Sequence, residues 1–132
     1  MRYMLMVYGC VRNDEGSAER AAKVTAVNAF IEMCAEKGVL EAYDPLQEGH
    51  TATTVRVRDN EALVTDGPFA ETREQLGGYF ILNCRDLAEA RAFAAACPMA
   101  AEGAVEVRPI LAVPGLASEA AEPATASAAG GR

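Results

Sequence analysis

The chain has 132 residues, enough for one domain with one hydrophobic core and near the size at which a second subunit adds useful burial. Its formal net charge of −7 opposes phosphate backbones and anionic lipid, both of which are recognised by clustered Lys and Arg, so neither nucleic acid nor a membrane is expected as a partner. Hydrophobic residues make up 51% of the chain, but aromatics only 6% and Trp is absent, so Val, Leu, Ile, Met and a few Phe and Tyr must build the core.

Arg2 to Tyr8 is apolar at nearly every position, which for a strand implies cover on both faces and a central place in a sheet. The stretch is too short to cross a bilayer, and the N-terminus lacks the features of a secretory signal, so a cytoplasmic protein is expected. A turn-rich connection through Asn13, Asp14 and Gly16 leads to Ser17, an N-cap for a helix to about Lys37, where Gly38 supplies a left-handed terminus. Val24, Val27, Ile31 and Cys34, joined by Phe30, recur at helical spacing as its inward stripe. Val39 to Tyr43 reads as a short strand ended by Asp44-Pro45. Thr51 to Arg58 reads as a β-branched one, and Asp59-Asn60 as a tight hairpin turn before the return strand Glu61 to Thr65.

The loop from Asp66 to Gly77 packs turn formers, a proline and carboxylates between strands. In it Gly67 takes a conformation barred to residues with a Cβ, Pro68 fixes φ, and Phe69 anchors the loop in the core. Gly78 to Cys84 is again apolar on both faces. Asp86 with Glu89 forms a capping box for a helix through Leu87, Ala90, Phe93, Ala94 and Cys97, stopped by Pro98, and Val105 and Val107 alternate with Glu106 and Arg108 in a last strand. Cys10, Cys34, Cys84 and Cys97 form no C-x-x-C pair, so no zinc ribbon or thioredoxin-like site is signalled, and buried free thiols in a reducing compartment are expected.

The order βαβ…βαβ, with a hairpin inserted, predicts an α+β ferredoxin-like sandwich with both helices on one face of a mainly antiparallel sheet. The domain spans residues 1–112, and 113–132, rich in Ala, Pro and Gly, form a flexible tail. No further helix remains to shield the other sheet face, so a homodimer with two sheets facing each other is expected.

Ala52-Thr53-Thr54-Val55-Arg56, the Asp66-Gly67-Pro68-Phe69 loop, Cys97-Pro98 and Val105-Glu106-Val107-Arg108-Pro109 together resemble the YCII-related family in its DGPF-motif branch, over roughly Met1 to Leu111. The resemblance implies a ferredoxin-like domain that pairs into a dimeric α/β barrel. More distant members are thought to use a histidine and aspartate pair. Here that carry-over stops at Asp66, because no histidine stands early in the chain. The resemblance also implies genes placed beside extracytoplasmic-function sigma factors, and with them a regulatory alternative.

Asp66 is the first candidate for chemistry, as a general acid or base, with a cap on the amides of a helical turn over Ala70 to Gln75 as its structural alternative. His50, the only histidine, is a weaker candidate to pair with Asp66 or an exposed loop residue. Glu71 and Glu74, three apart on a helical turn, either share a ligand or hard cation, with Asp66 as a third oxygen donor, or form a solvated acidic loop. Arg56 and Arg108 offer bidentate forks for a carboxylate or form cross-strand ion pairs; Tyr8 and Tyr79 offer hydroxyl donors or pack. No phosphate loop or nucleophile elbow is present, no resident metal is assigned and the chemistry suggested calls for no cofactor. Acid/base chemistry, an isomerisation or elimination, on a small organic molecule in a dimer cleft is the first expectation. A non-catalytic ligand-binding or regulatory protein linked to sigma-factor-dependent transcription is the alternative, and a plain dimeric scaffold the third.

Overall fold

The computed structural model describes residues 1–9, 16–70 and 74–117. Six strands and two α-helices follow in the order β1 (Arg2–Tyr8), α1 (Ser17–Glu36), β2 (Leu40–Pro45), β3 (Thr53–Arg58), β4 (Glu61–Asp66), β5 (Leu76–Asn83), α2 (Leu87–Ala96) and β6 (Ala104–Pro109). Short 3₁₀ turns at Gly49–Thr51 and Pro98–Ala101 join them. Strands β2-β5-β1-β6 form one antiparallel sheet with β1 and β5 central, and β3-β4 form a separate ribbon. This is the expected ferredoxin-like α+β fold with an inserted hairpin. The two outer strands, β2 and β6, are six residues each and end in Pro45 and Pro109.

Alternation along β1 fixes the layers. Tyr3, Leu5 and Val7 are buried while Arg2, Met4, Met6 and Tyr8 are half-buried on the opposite face. Register puts Leu5 beside Phe80 and Tyr3 beside Leu82, and these residues meet Phe30 and Cys34 of α1 and Ala90, Phe93 and Ala94 of α2 in one core. Phe30 stands edge-on to Phe80 with centroids 5.1 Å apart. Leu5 and Leu82 are fully buried, each contributing roughly 1.5 to 3 kcal/mol. Both helices therefore cover one face, as expected. Phe80 and Leu82 belong to that covered face, so the continuous apolarity of β5 conceals a two-sided strand. The open side carries Met4, Met6, Tyr79 and Ile81 at its centre.

Two details of α1 differ from expectation. Its N-cap is Gly16, whose N–H donates to the Glu19 carboxylate at 3.4 Å, and Ser17 is already helical. Only Phe30 and Cys34 are buried along it, and Val24 is 51% exposed, because the first half of the helix runs beyond the side chains that fill the core. Gly38 ends it at φ +73°. In α2 the Asp86 carboxylate accepts the Glu89 N–H at 3.0 Å, whereas the Glu89 carboxylate accepts from Arg85 N at 2.7 Å rather than from the cap residue, leaving the box half made.

The hairpin turn forms at Asp59-Asn60, with φ of 52° and 63°, as positive-φ residues in a two-residue loop require. The ribbon's strands pack closely only on each other among the described residues. Val55, Val57 and Val64 are each about 60% exposed on one face. Phe69 is 71% exposed, so it does not anchor its loop in the core; the ribbon stands off from that core, and the Arg56 guanidinium covers the ring at 4.7 Å instead. Gly67 takes φ +98° as expected and is tied down by its N–H to Ala52 O and by the Thr54 hydroxyl to its own carbonyl, both at 2.7 Å. Among the described residues no helix is long and apolar enough to cross a membrane.

Candidate functional site

The first half of α1 spans the end of the sheet where β1 finishes, β5 begins and β2 finishes. Its sheetward positions there are Ala22, Lys23, Ala26 and Val27, small or slender where Phe30 and Cys34 fill the space further along. Opposite them, Gly78 takes the helix-facing place beside Val7. Small residues above and a glycine below leave a cavity of about 600 Å³ between helix and sheet. Val7, Val27, Ile31, Phe80 and Met99 make most of its wall, with Tyr43 and Phe80 stacked at a 6.2 Å centroid separation.

Polar side chains stand around this end of the sheet. On the open face, away from α1, the Tyr79 hydroxyl donates to Asp44 Oδ2 at 3.0 Å across the β2–β5 pair. Lys23 Nζ meets Glu102 Oε1 at 2.8 Å, joining α1 to the 3₁₀ turn after α2. Arg20 lines the cavity one turn before Lys23, and its guanidinium makes no ion pair or side-chain hydrogen bond among the described residues. Gly78 permits the close approach of β2, since a Cβ there would lie 2.9 Å from the Asp44 carbonyl oxygen. An apolar chamber with a carboxylate–ammonium pair in its lining can hold a small organic molecule and pass a proton to or from it.

The sequence candidates are scattered around this chamber. Tyr79 lines it. Tyr8 ends β1 on the open sheet face, in register with Ala104. Arg108 lies on that face too, bound to Glu106 at 2.6 Å, and this hydrogen bond and charge raise its pKa. Arg56 sits on the ribbon over Phe69, so the two arginines do not share a cleft within one chain. Asp66 ends β4, exposed, with no side-chain partner among the described residues, and therefore caps no described amide. His50 is exposed in the first 3₁₀ turn with Nδ1 3.4 Å from Glu48, and no hydrogen bond joins it to Asp66. Glu74 lies beside Gly9, where a Cβ would come within 3.0 Å of its carboxyl carbon. Glu71 lies outside the described residues, and so does half of the turn over Ala70 to Gln75. The described residues contain no cluster of ligands fit for a metal ion.

Sequence reasoning passed over Glu102, Lys23, Arg20 and the alanines of α1. Glu102 stands after Pro98 with no motif around it, and Arg20 and Lys23 fall outside the stripe of Val24, Val27, Ile31 and Cys34. The signal within reach was the replacement of large residues by alanine along one face of α1. The three described cysteines, Cys34, Cys84 and Cys97, are buried free thiols as expected, while Cys10 lies outside the described residues. Burial, helped by the neighbouring Cys97 and Cys84, pushes the Cys34 thiol up to about 11.

A family model for the YCII-related domain matches residues 1–114. An uncharacterized protein of Rhizobium meliloti (strain 1021) is 42% identical over 77 residues, covering 57% of this chain and 62% of that protein, so the match spans less than two thirds of the relative's length. Among solved structures, the 5-chloro-2-hydroxyhydroquinone dehydrochlorinase of Burkholderia phenoliruptrix AC1100, in complex with 2,5-dihydroxybenzoquinone, is similar with a TM-score of 0.50 at 15% identity, over 86% of this chain and 96% of that one. At that identity the likeness speaks for the fold.

Proposed function

The chain belongs to the YCII-related family, and from that premise we propose that it is an enzyme moving a proton on a small organic molecule held beneath the first half of α1. The observation that carries the reading is the apolar cavity of about 600 Å³ with the ion-paired Glu102 and Lys23 in its lining. Its size suits a single-ring or two-ring compound, as ligand pockets of roughly 300 to 1,000 Å³ do. The Glu102 carboxylate takes a proton from a carbon or hydroxyl of the ligand, and the Lys23 ammonium orients that carboxylate. In an isomerisation the proton returns at another carbon; in an elimination the electron pair left behind expels the leaving group. Neither course calls for a cofactor. Removal of hydrogen chloride from a ring, the reaction in the name of the Burkholderia protein, is of the second kind and supports the reading by analogy.

The working unit in this proposal is a homodimer in the cytoplasm. The half-buried stripe of Met4, Met6, Tyr79 and Ile81 faces a second copy, and the exposed ribbon valines give that copy more apolar surface to cover. Asp66 shares the ribbon face of Val55, Val57 and Val64, so pairing would bring it into a shared cleft as a second acid or base. The mainly aliphatic wall of the cavity favours a second reading, a non-catalytic ligand-binding or regulatory protein.

A thermal-shift screen of ring compounds, followed by product analysis of each hit, separates the two. For the enzyme, Glu102→Gln keeps the fold and the ligand-induced stabilisation but lowers turnover by about 10²- to 10⁴-fold. Saturable stabilisation with no product from any hit sinks the catalytic reading and leaves the binding one.

A further inference from the structure

We propose that the ligand is a flat, singly charged anion, a ring carboxylate or an ionised phenol, whose charge is held by Arg20 at the cavity mouth; this rests on the cavity being the working site. Charges around the mouth are unequally satisfied. Lys23 is engaged by Glu102 at 2.8 Å. Arg20 alone of these presents a guanidinium with no side-chain partner among the described residues, although the chain as a whole carries −7. A guanidinium fork matches the two oxygens of a carboxylate and also binds a phenolate.

The other features set the rest of the class. Stacked Tyr43 and Phe80 give the chamber a planar surface, which favours a ring lying against it. Glu102 lines the same chamber as Arg20, so a second anionic group on the ligand would meet negative charge. One charge is accepted and two are refused. Because the net charge of the protein repels anions generally, any preference for an anion over its neutral twin must arise locally.

Calorimetric titration with matched probes tests this. Naphthalene-2-carboxylate is compared with naphthalene-2-carboxamide and with naphthalene-2,6-dicarboxylate, and ionised 4-nitrophenol with 4-nitroanisole, on the wild-type chain, Arg20→Gln and the cavity-filling Ala26→Phe. The expected result is that the mono-anion of at least one pair binds about tenfold tighter than its neutral twin, as one charge-assisted contact supplies. Arg20→Gln removes that preference without weakening the neutral probe, and the dicarboxylate gains nothing. The carboxylate and phenol pairs tell which anion is preferred. Neutral probes that bind and are lost in Ala26→Phe, with no anion preference in either pair or one that survives Arg20→Gln, overturn the role of Arg20 while leaving the cavity intact. Binding of no probe, or binding unchanged by Ala26→Phe, overturns this proposal and the choice of site together.

Discussion

Gly78→Ala tests the architecture of the site at its narrowest point. Gly78 pairs with Pro45 of β2 and with Val7 of β1, and a Cβ built there would lie 2.9 Å from the Asp44 carbonyl oxygen and 3.2 Å from the Pro45 Cα. Both are backbone atoms, so no side chain can swing aside. Ordinary contact begins at 3.4 Å, and β2 must therefore retreat by about 0.5 Å, straining the Leu46 N–H to Gly77 O hydrogen bond of 2.9 Å beside it. Overpacking of this kind costs about 1 to 3 kcal/mol. Each kcal/mol lowers Tm by roughly 3 to 6 °C in a chain of this size. Guanidinium denaturation read by far-UV circular dichroism measures the loss, with an unchanged slope if only the folded state is affected. Because the strand that retreats carries Tyr43, which stacks on Phe80 in the cavity wall, ligand stabilisation should fall as well. An alanine variant as stable as the parent would show that β2 is not packed against Gly78 and would refute the account of how the cavity mouth is held.

Met6→Glu places a charge at the centre of the open sheet face, where Met6 pairs with Tyr79 and Glu106; sedimentation equilibrium should then show monomers where the parent chain shows dimers, and a parent that is monomeric itself refutes the pairing. Alkaline titration should reveal the thiols: Cys34 titrates at 9.0 when unfolded and about 11 when folded, so its stabilising contribution is whole below 9.0 and is lost as pH rises through 11. Two such units correspond to roughly 2 to 3 kcal/mol, read as a falling denaturation midpoint over that window that Cys34→Ala should flatten. Asp86→Ala removes the carboxylate that accepts the Glu89 N–H and should cost about 1 kcal/mol in the same denaturation assay, with Asp86→Asn costing less.

Much of the fold was legible because local chemistry and tertiary need agree. Asp59-Asn60 specifies its turn, Gly38 and Gly67 take the positive φ that glycine allows, and β1 and β5 are central because they are apolar throughout. The faces of those strands were less legible. Phe80 and Leu82 look as exposed to partnership as Met4 and Met6, and only the register against β1 sorts them. Phe69 misled because a large aromatic usually signals the core, whereas its position after a detached ribbon leaves it outside. The cavity was invisible for a different reason. It comes from the height of α1 over the sheet, set by Phe30 and Cys34, acting together with alanines and a glycine that look unremarkable one at a time.

The prolines that finish both border strands restrict how copies of this molecule can join. A residue without an N–H cannot extend a ladder, and six-residue borders offer little template on either side of it. Strand-by-strand growth into an open filament is thus discouraged at both margins. Association through broad surfaces stays open, and the twofold pairing proposed above would close after one partner, with two pyrrolidine rings guarding the margins of the sheet.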